Sequence, residues 1–392
     1  MSATPRPKLS IHVERFNQNA AHRPLCVVAV PVKDEVERIA ACLESLAEQT
    51  VEPGEMAVIL LLNNCTDGTA DHVRAMAPAL PFRLELHAVD LPEAYANAGW
   101  ARRLAMDAAC DLAAPDGLIL TTDADTLVDT DWIEANRREI ASGVDAVAGY
   151  VMANPVELME LDPGILERGS VEWEYQQLAA ELESRSDPEP HDPWPRHNQN
   201  CGASAAVTVA AYRRIGGLPP KRVGEDRALF EMLRRHDFKI RHSLDVHVVT
   251  SARTDGRALG GLSDAIRLRG DPDHFCDEAL EVAVVTFRRA YWRARLRADW
   301  KAGRLDGSWE AWAARMGVSQ TEFRRALERS SFGQAWAELE ARSPRLERRL
   351  VTGGELKREL RRMRRLVEAA RAHARAEEAW AADGSAKKVV AA

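Results

Sequence analysis

Apolar residues in the first third of the chain fall into short unbroken runs, each followed by a stretch with helical spacing. LCVVAVPV (25–32) and MAVILLL (56–62) are continuous and rich in β-branched or aliphatic side chains. Such runs suit strands covered on both faces. PFRLELHAV (81–89) alternates, and LILTT (118–122) is a short buried strand ending against Asp123. Between the first two runs, Val36, Ile39, Ala40, Leu43, Leu46 and Ala47 recur at steps of three and four, the spacing of one helical face. Further helices are predicted near 68–77 and over 94–113, the latter with Leu104, Ala105, Ala108 and Leu112 inward. Strand and helix thus alternate with roughly 30 residues per unit. The pattern predicts an α/β, Rossmann-like fold: a mostly parallel sheet with helices on both faces. Ligands of such sheets bind at the carboxyl ends of the strands.

The rest of the chain is less regular. Residues 1–23 are polar and predict a flexible N-terminus. SRSDPEPHDPWPRHNQNC (184–201) is rich in Pro, Asp and His and reads as a long binding loop. Helices are expected near 208–216, ending at Gly216–Gly217, and over 225–236, with a strand at 239–249. After Gly270 strands disappear and Ala, Arg, Glu, Leu and Trp dominate. The domains expected are a catalytic domain over 24–268, a helical C-terminal region over 269–380 and a disordered tail over 381–392. In that region Trp292, Trp300, Trp309 and Trp312 read as the core of a small helical unit. Residues 355–375 place apolar side chains at 356, 360, 363, 366, 367 and 370 beside a dense Arg face. This amphipathic helix has three destinations open to it: the catalytic domain, a second subunit in a homodimer, or peripheral contact with an anionic membrane.

Composition narrows the class. The net charge of −7 over 392 residues argues against a general nucleic-acid binder. The six cysteines are widely spaced, with no CxxC pair and no zinc spacing, as expected of reduced thiols. The start, MSATPRPKLSIHVERF, lacks the apolar core of a signal peptide. No run approaches the ~20 apolar residues of a membrane span. A cytoplasmic location is expected.

Two acidic pairs carry the chemistry. Asp123 and Asp125 flank Ala124 directly after a buried strand. Paired carboxylates there suit Mg²⁺ or Mn²⁺, which take oxygen ligands and share themselves between one or two carboxylates and substrate phosphates. The small Ala124 admits close approach of a nucleotide. The plain alternative is a solubilising turn, since Asp is common in loops. Glu225 and Asp226 follow Gly224 and open a helix, where the dipole alone favours carboxylates by about 0.3–1 kcal/mol. The functional reading is a general base that deprotonates an attacking hydroxyl. Arg253 and Arg257, among Gly256, Gly260 and Gly261, form a basic loop suited to phosphate or an acidic acceptor. Arg102 or Arg103, on the helix before the acidic strand end, is placed to reach a nucleotide. Trp173, Trp194, His197, Asn198, Asn200 and Ser204 are candidates for an acceptor site.

The order PVKDE (31–35), NNCTDGT (63–69), DAD (123–125) and GED (224–226) resembles that of family 2 glycosyltransferases, which have the GT-A fold. The resemblance covers roughly residues 24–265. It implies that Pro31, Val32 and Glu35 lie at the first-strand turn around the base and ribose. It implies that Asn63, Asn64 and Asp67 flank the nucleotide, and that Asp123, Ala124 and Asp125 bind the metal and diphosphate. Glu225 and Asp226 become the acceptor-side pair, with Asp226 the usual base. Relatives often add a metal-binding histidine after the last strand, and His247 is the candidate. Asn63–Asn64 replaces an expected acidic residue, with UDP remaining the first choice of nucleotide. The expected activity is metal-dependent, inverting transfer of a sugar from a nucleotide-diphosphate donor to a hydroxyl acceptor, either small or lipid-linked. The rival readings are a nucleotidyltransferase, disfavoured by a first turn without glycine, and a non-catalytic sugar-nucleotide-binding protein.

Overall fold

The computed structural model describes residues 9–18, 22–257, 260–271, 273–276 and 280–389, excluding the side chains of 306 and 378–389. In chain order the elements are β1 (Ile11–Phe16), β2 (Cys26–Val32), α1 (Ile39–Ala47), β3 (Met56–Asn63), α2 (Thr69–Met76), β4 (Arg83–Val89), α3 (Ala98–Leu112), β5 (Leu118–Thr121), β6 (Thr126–Val128), α4 (Trp132–Ala141), β7 (Ala146–Ala153) and α5 (Pro155–Met159). They continue with α6 (Pro163–Ser186), β8 (Ala205–Thr208), α7 (Val209–Arg214), α8 (Glu225–Arg235), β9 (Ile240–Thr250), α9 (Leu262–Leu268), α10 (Ala283–Lys301), α11 (Trp309–Met316), α12 (Gln320–Leu327), α13 (Phe332–Arg342) and α14 (Gly353–Val389). The chain divides into two compact units. One holds the residues up to Leu161 plus Gln199–Arg267, and the other holds Asp162–Asn198 plus the residues from Leu268 onward.

The first unit is built on a nine-stranded sheet of order β1-β4-β3-β2-β5-β8-β7-β9-β6. Its heart, β4-β3-β2-β5, is parallel. The continuous apolar runs are explained by burial on both faces. Val28, Val30, Leu60 and Leu62 pack with Ile39, Leu43 and Leu46 of α1 and with Trp132. Val27, Ala29, Ile59 and Leu61 pack with Trp100, Ala101, Ala105 and Met106 of α3 on the other face. In-register pairing of Val32 with Leu62, and of Ala29 with Thr121, brings the carboxyl ends of β2, β3 and β5 to one edge of the sheet. Beyond β5 the sheet turns antiparallel through β8, and β7 then pairs in parallel with β9.

The structure differs from the sequence expectation at three places. Residues 11–16, inside the segment expected to be flexible, form edge strand β1 antiparallel to β4. Residues 1–8 lie outside the described residues. The stretch expected as one catalytic domain over 24–268 is interrupted, because 162–198 belong to the second unit. The tail expected to be disordered from 381 continues α14 to Val389, with 390–392 outside the described residues. Of the three destinations open to the apolar face of 355–375, packing within the protein is observed, inside the second unit. Leu356, Leu360, Met363 and Val367 pack against Val171, Tyr175, Leu178 and Leu182 of α6.

That contact is a parallel helix pair with a seven-residue charge repeat. Lys357 bonds Glu167 at 2.8 Å, Arg364 bonds Glu174 at 2.8 Å and Arg371 bonds Glu181 at 2.7 Å. The apolar seam follows the 4-3 spacing of a heptad on both helices, the pattern that keeps two helices face to face. A second cluster in this unit gathers Leu296, Trp312, Phe323, Trp336 and Leu339, with Trp292, Trp300 and Trp309 packed on it. Among the described residues, no helix is long and apolar enough to cross a membrane.

The edge strand has an electrostatic anchor. Buried Glu85 of β4 accepts from His87 at 3.0 Å, Arg83 at 2.6 Å and Arg15 of β1 at 3.3 Å. The hydrogen bond from His87, followed by Arg83 and Arg15, outweighs desolvation and lowers the Glu85 carboxyl from 4.5 to about 2. Because the folded value is depressed, the stabilisation is complete above about pH 4.5 and is lost as pH falls toward 2. Glu85→Gln is expected to cost on the order of 1–3 kcal/mol at pH 7, at about 1.4 kcal/mol per unit. It should also flatten the decline between pH 5 and 3 in urea melts. An unaltered acid limb would show that Glu85 does not anchor β1.

Candidate functional site

Two turns at the ends of β2 and β3 are wired to each other before any ligand arrives. Asp67 accepts from the backbone N–H of Val36 at 3.0 Å and of Thr69 at 3.0 Å. Asp34 accepts from Thr66 N–H at 2.7 Å, and Lys33 donates to the carbonyl of Asn64. Asn64, at φ 51°, donates to the carbonyl of Leu91 and accepts from its N–H, both at 3.0 Å. Asn64 and Asp67, expected to flank the nucleotide, therefore use their side chains to shape the loop. Asn63 differs: its Oδ1 is buried and has no hydrogen-bond partner among the described residues. Pro31 is half-buried, while the Val32 side chain sits in the core, leaving only its backbone to face a ligand.

The D-A-D segment leaves β5 with alternating directions. Ala124 packs into the core beneath, so its small size serves packing against the sheet. Asp123 and Asp125 are half-buried on the opposite side. Each is met by a different arginine. Arg102 of α3, itself buried, donates from Nη2 to Asp123 Oδ1 at 2.6 Å and from Nε to Glu225 Oε1 at 3.1 Å. Its Nη1 reaches Thr121 Oγ1 at 2.9 Å and the carbonyl of Gly202 at 3.0 Å. A Cβ on Gly202 would lie 2.5 Å from the Arg102 guanidinium carbon, so only glycine admits this approach. Arg103 instead bonds Asp107 at 2.7 Å and the carbonyl of Leu218 at 2.8 Å, holding the chain ahead of α8.

Arg253, beyond β9, forms the second clamp. Its Nη1 donates to Glu35 Oε2 at 2.9 Å and its Nη2 bonds Glu35 Oε1 and lies 3.0 Å from Asp125 Oδ2. Burial and the neighbouring Asp123 push the Asp125 carboxyl up to about 6, against the opposing pull of Arg253. The backbone leading to Arg253 is pinned: Ser251 N–H donates to the Asp125 carbonyl at 3.2 Å, and Ala252 N–H donates to Glu157 at 2.7 Å. Glu157 also pairs with Arg38 at 2.8 Å. No sequence signal distinguished Glu157 or Gly202, because each acts on a partner about 100 residues away.

The second acidic pair enters from α8. Gly224, at φ 73°, turns the chain so that Glu225 and Asp226 occupy the first helical turn. Glu225 is buried on Arg102; burial pushes its carboxyl up and Arg102 opposes the shift. Asp226 is half-buried, and its oxygens accept from Gly202 N–H at 3.1 Å and Arg227 N–H at 2.7 Å. His247 is not at this site. It lies opposite Tyr150 in the β7–β9 register and bonds Asp129 at 3.0 Å, while Thr250, three residues on, is the β9 residue that faces Asp125. A strand rise of about 3.3 Å per residue puts the two roughly 10 Å apart, so His247 is corrected from metal ligand to sheet residue. Ser204 accepts from Trp132 Nε1 at 3.0 Å and Asn200 from Arg234 at 2.7 Å, while Trp173, Trp194, His197 and Asn198 belong to the second unit.

Among the described residues, no group of three or more His, Cys, Asp and Glu is arranged to hold a metal. Two carboxylates with hard oxygen donors are present at Asp123 and Asp125. That set fits a cation such as Mg²⁺ or Mn²⁺, whose other positions go to water and substrate phosphate.

A mixed α/β sheet with acidic side chains at the carboxyl ends of its parallel strands defines the class as an α/β protein that binds its ligand at that edge. The family described as Glycosyl transferase family 2 matches residues 27–191 of the 392. The match includes Asp123–Ala124–Asp125 and stops before Glu225–Asp226. None of the curated proteins compared matches the chain. Among solved structures, the chain is similar to the mannosyltransferase PcManGT from Pyrobaculum calidifontis in complex with GDP-Man and Mn²⁺, with 19% identity, TM-score 0.45, and 83% of this chain and 88% of that one covered. It is also similar to S. aureus TarS 1-349 in complex with UDP, with 14% identity, TM-score 0.44 and 88% of each chain covered. A mycobacterial protein matches at 19% identity and TM-score 0.40, over 64% of this chain and 74% of that one.

Replacing Arg102 by Met leaves Asp123 and Glu225 without their shared cation. Breaking such a buried pair typically costs about 3–5 kcal/mol. The same loss is expected in urea unfolding of Arg102→Met. A loss under about 1 kcal/mol would mean water already screens the pair.

Proposed function

We propose that the protein transfers a sugar from a nucleoside-diphosphate sugar, UDP-linked in the first instance, to a hydroxyl acceptor with inversion at the anomeric carbon. The observation that carries this reading is the Arg102 bridge, which ties Asp123 of the donor motif to Glu225 of the acceptor-side pair. Residues about 100 apart in sequence are thereby held on one guanidinium.

Each residue then has a distinct task. The Oδ1 of Asn63 is a buried acceptor without a partner. The N3–H of uracil is a donor that satisfies it, and an unpaired buried acceptor costs about 1–3 kcal/mol until it is satisfied. Asp123 and Asp125 would hold a divalent cation together with the diphosphate, and that cation supplies positive charge against the charge developing on the leaving group. Glu225, buried on Arg102, positions the first turn of α8. Asp226 keeps a free lone pair on each oxygen and is reachable from solvent, which suits it to accept the acceptor's hydroxyl proton. As that proton leaves, the acceptor oxygen bonds the anomeric carbon from the face opposite the diphosphate. The bond to the diphosphate oxygen breaks, and the nucleoside diphosphate departs with the electron pair.

Calorimetry with UDP, GDP and their sugars, with and without Mn²⁺, tests the donor half. UDP compounds are expected to bind more tightly with Mn²⁺, and Asp123→Ala should abolish that dependence. Intact Mn²⁺-dependent binding in Asp123→Ala would sink the assignment. Asp226→Asn is expected to bind donor normally while turnover drops by about 10²-fold or more, the scale of lost general-base catalysis. Product anomeric configuration, read by NMR, checks inversion.

A further inference from the structure

Arg253 makes an unusual set of contacts for a loop residue. Both arms of its guanidinium are engaged by Glu35 at the end of β2, and one arm also touches Asp125 at 3.0 Å. Glu35 is buried and Arg253 mostly so. The guanidinium therefore occupies the side of Asp125 that turns toward the first-strand loop. Five carboxylates lie at this edge, Glu35, Asp123, Asp125, Glu225 and Asp226, and the guanidinium groups of Arg102 and Arg253 bond four of them. The two are not equivalent. Arg102 is enclosed by four partners from the sheet and α8, one of them the carbonyl of Gly202. Among the described residues, the Arg253 side chain is held by carboxylates, and backbone anchoring ends just before it: Ala252 N–H is fixed by Glu157, and Arg253 N–H reaches the hydroxyl of Ser251 at 3.2 Å. Its side chain can swing from this pinned base without moving the sheet.

We propose that Arg253 is the exchangeable counter-cation of the donor site. In the free protein it neutralises Asp125. When a divalent cation takes Asp125, the guanidinium is released and turns to the donor's diphosphate, where its fork matches phosphate oxygens. This rests on the reading of Asp123 and Asp125 as the cation site. No bond is made or broken; one ionic partner is traded for another. Free cation and Arg253 compete for one carboxylate, whereas diphosphate-bound cation and Arg253 cooperate. Loss of Arg253 must therefore move two affinities in opposite directions.

The probes are Mn²⁺ alone, followed by electron paramagnetic resonance, and UDP in saturating Mn²⁺, followed by calorimetry. In Arg253→Gln, Mn²⁺ alone is expected to bind at least about 10-fold more tightly, because a unit positive charge in contact with its ligand is gone. UDP is expected to bind about 5–10-fold more weakly, for want of a charge-assisted fork. A purely structural role would weaken both, and that result overturns the proposal, as does unchanged Mn²⁺ affinity. Unchanged UDP affinity overturns the transfer to diphosphate. Arg253→Lys, which keeps the charge without the fork, should bind Mn²⁺ with intermediate affinity and carries the test if the Gln variant does not fold. Asp125→Asn separates this proposal from the one beneath it. If it abolishes Mn²⁺ binding while Arg253→Gln binds like wild type, the cation site stands and the exchange falls. If all three proteins bind Mn²⁺ alike, the cation site fails and takes the exchange with it.

Discussion

The buried guanidinium of Arg102 is the constraint around which the catalytic unit is arranged. A charge taken out of water costs several kcal/mol unless its whole donor set is matched. Arg102 meets that demand with Asp123, Glu225, Thr121 and the carbonyl of Gly202. Satisfying one side chain thus fixes the end of β5, the first turn of α8 and the backbone at 202 against α3. Gly202 has no side chain because the guanidinium carbon occupies the space. Gly224 adopts its left-handed conformation so that Glu225 can point back at the same group.

Around that fixed centre, polar side chains divide into those already spent and those left over. Asp34, Asn64 and Asp67 are consumed in joining the first two turns, and their value is a loop that needs no ordering when a ligand arrives. Preorganisation of this kind removes a conformational cost from binding. Asn63 Oδ1 and one face of Asp226 remain available, one at each end of the site. The same carboxamide chemistry is spent on architecture at Asn64 and left unspent at Asn63 Oδ1, one residue apart at a strand end.

Much of this could be read from the chain. The parallel strands were legible because burial on both faces leaves no polar positions, so CVVAVPV and MAVILLL cannot be mistaken for half-exposed segments. The acidic pairs were legible because they sit at strand and helix ends. What stayed hidden depends on partners distant in sequence. β6 and β8 are three and four residues long, too short to show a period. IHVERF looked like a polar leader until Glu85 and its three basic neighbours gave it a reason to pair. His247 had the right residue type in the wrong register, because strand pairing alone decides that it faces Tyr150 and Asp129. The roles of Asn64 and Asp67 depend on the closeness of two turns, and the Arg253–Glu35 contact spans 218 positions. The amphipathic face of α14 was visible, but its partner α6 lies inside the stretch that otherwise belongs to the catalytic unit.

That interleaving has a consequence during synthesis. The three ion pairs between α6 and α14 each join residues 190 positions apart. At roughly 5–20 residues per second, the apolar seam of α6 leaves the ribosome about 10–40 s before its partner exists. Meanwhile the remaining strands of the catalytic sheet, β8 and β9, emerge. The nascent chain therefore carries an amphipathic helix with an open seam over roughly 190 residues of synthesis. Chains cut short before α14 would keep that seam exposed, making them natural clients for chaperones and proteases, whatever the state of the sheet.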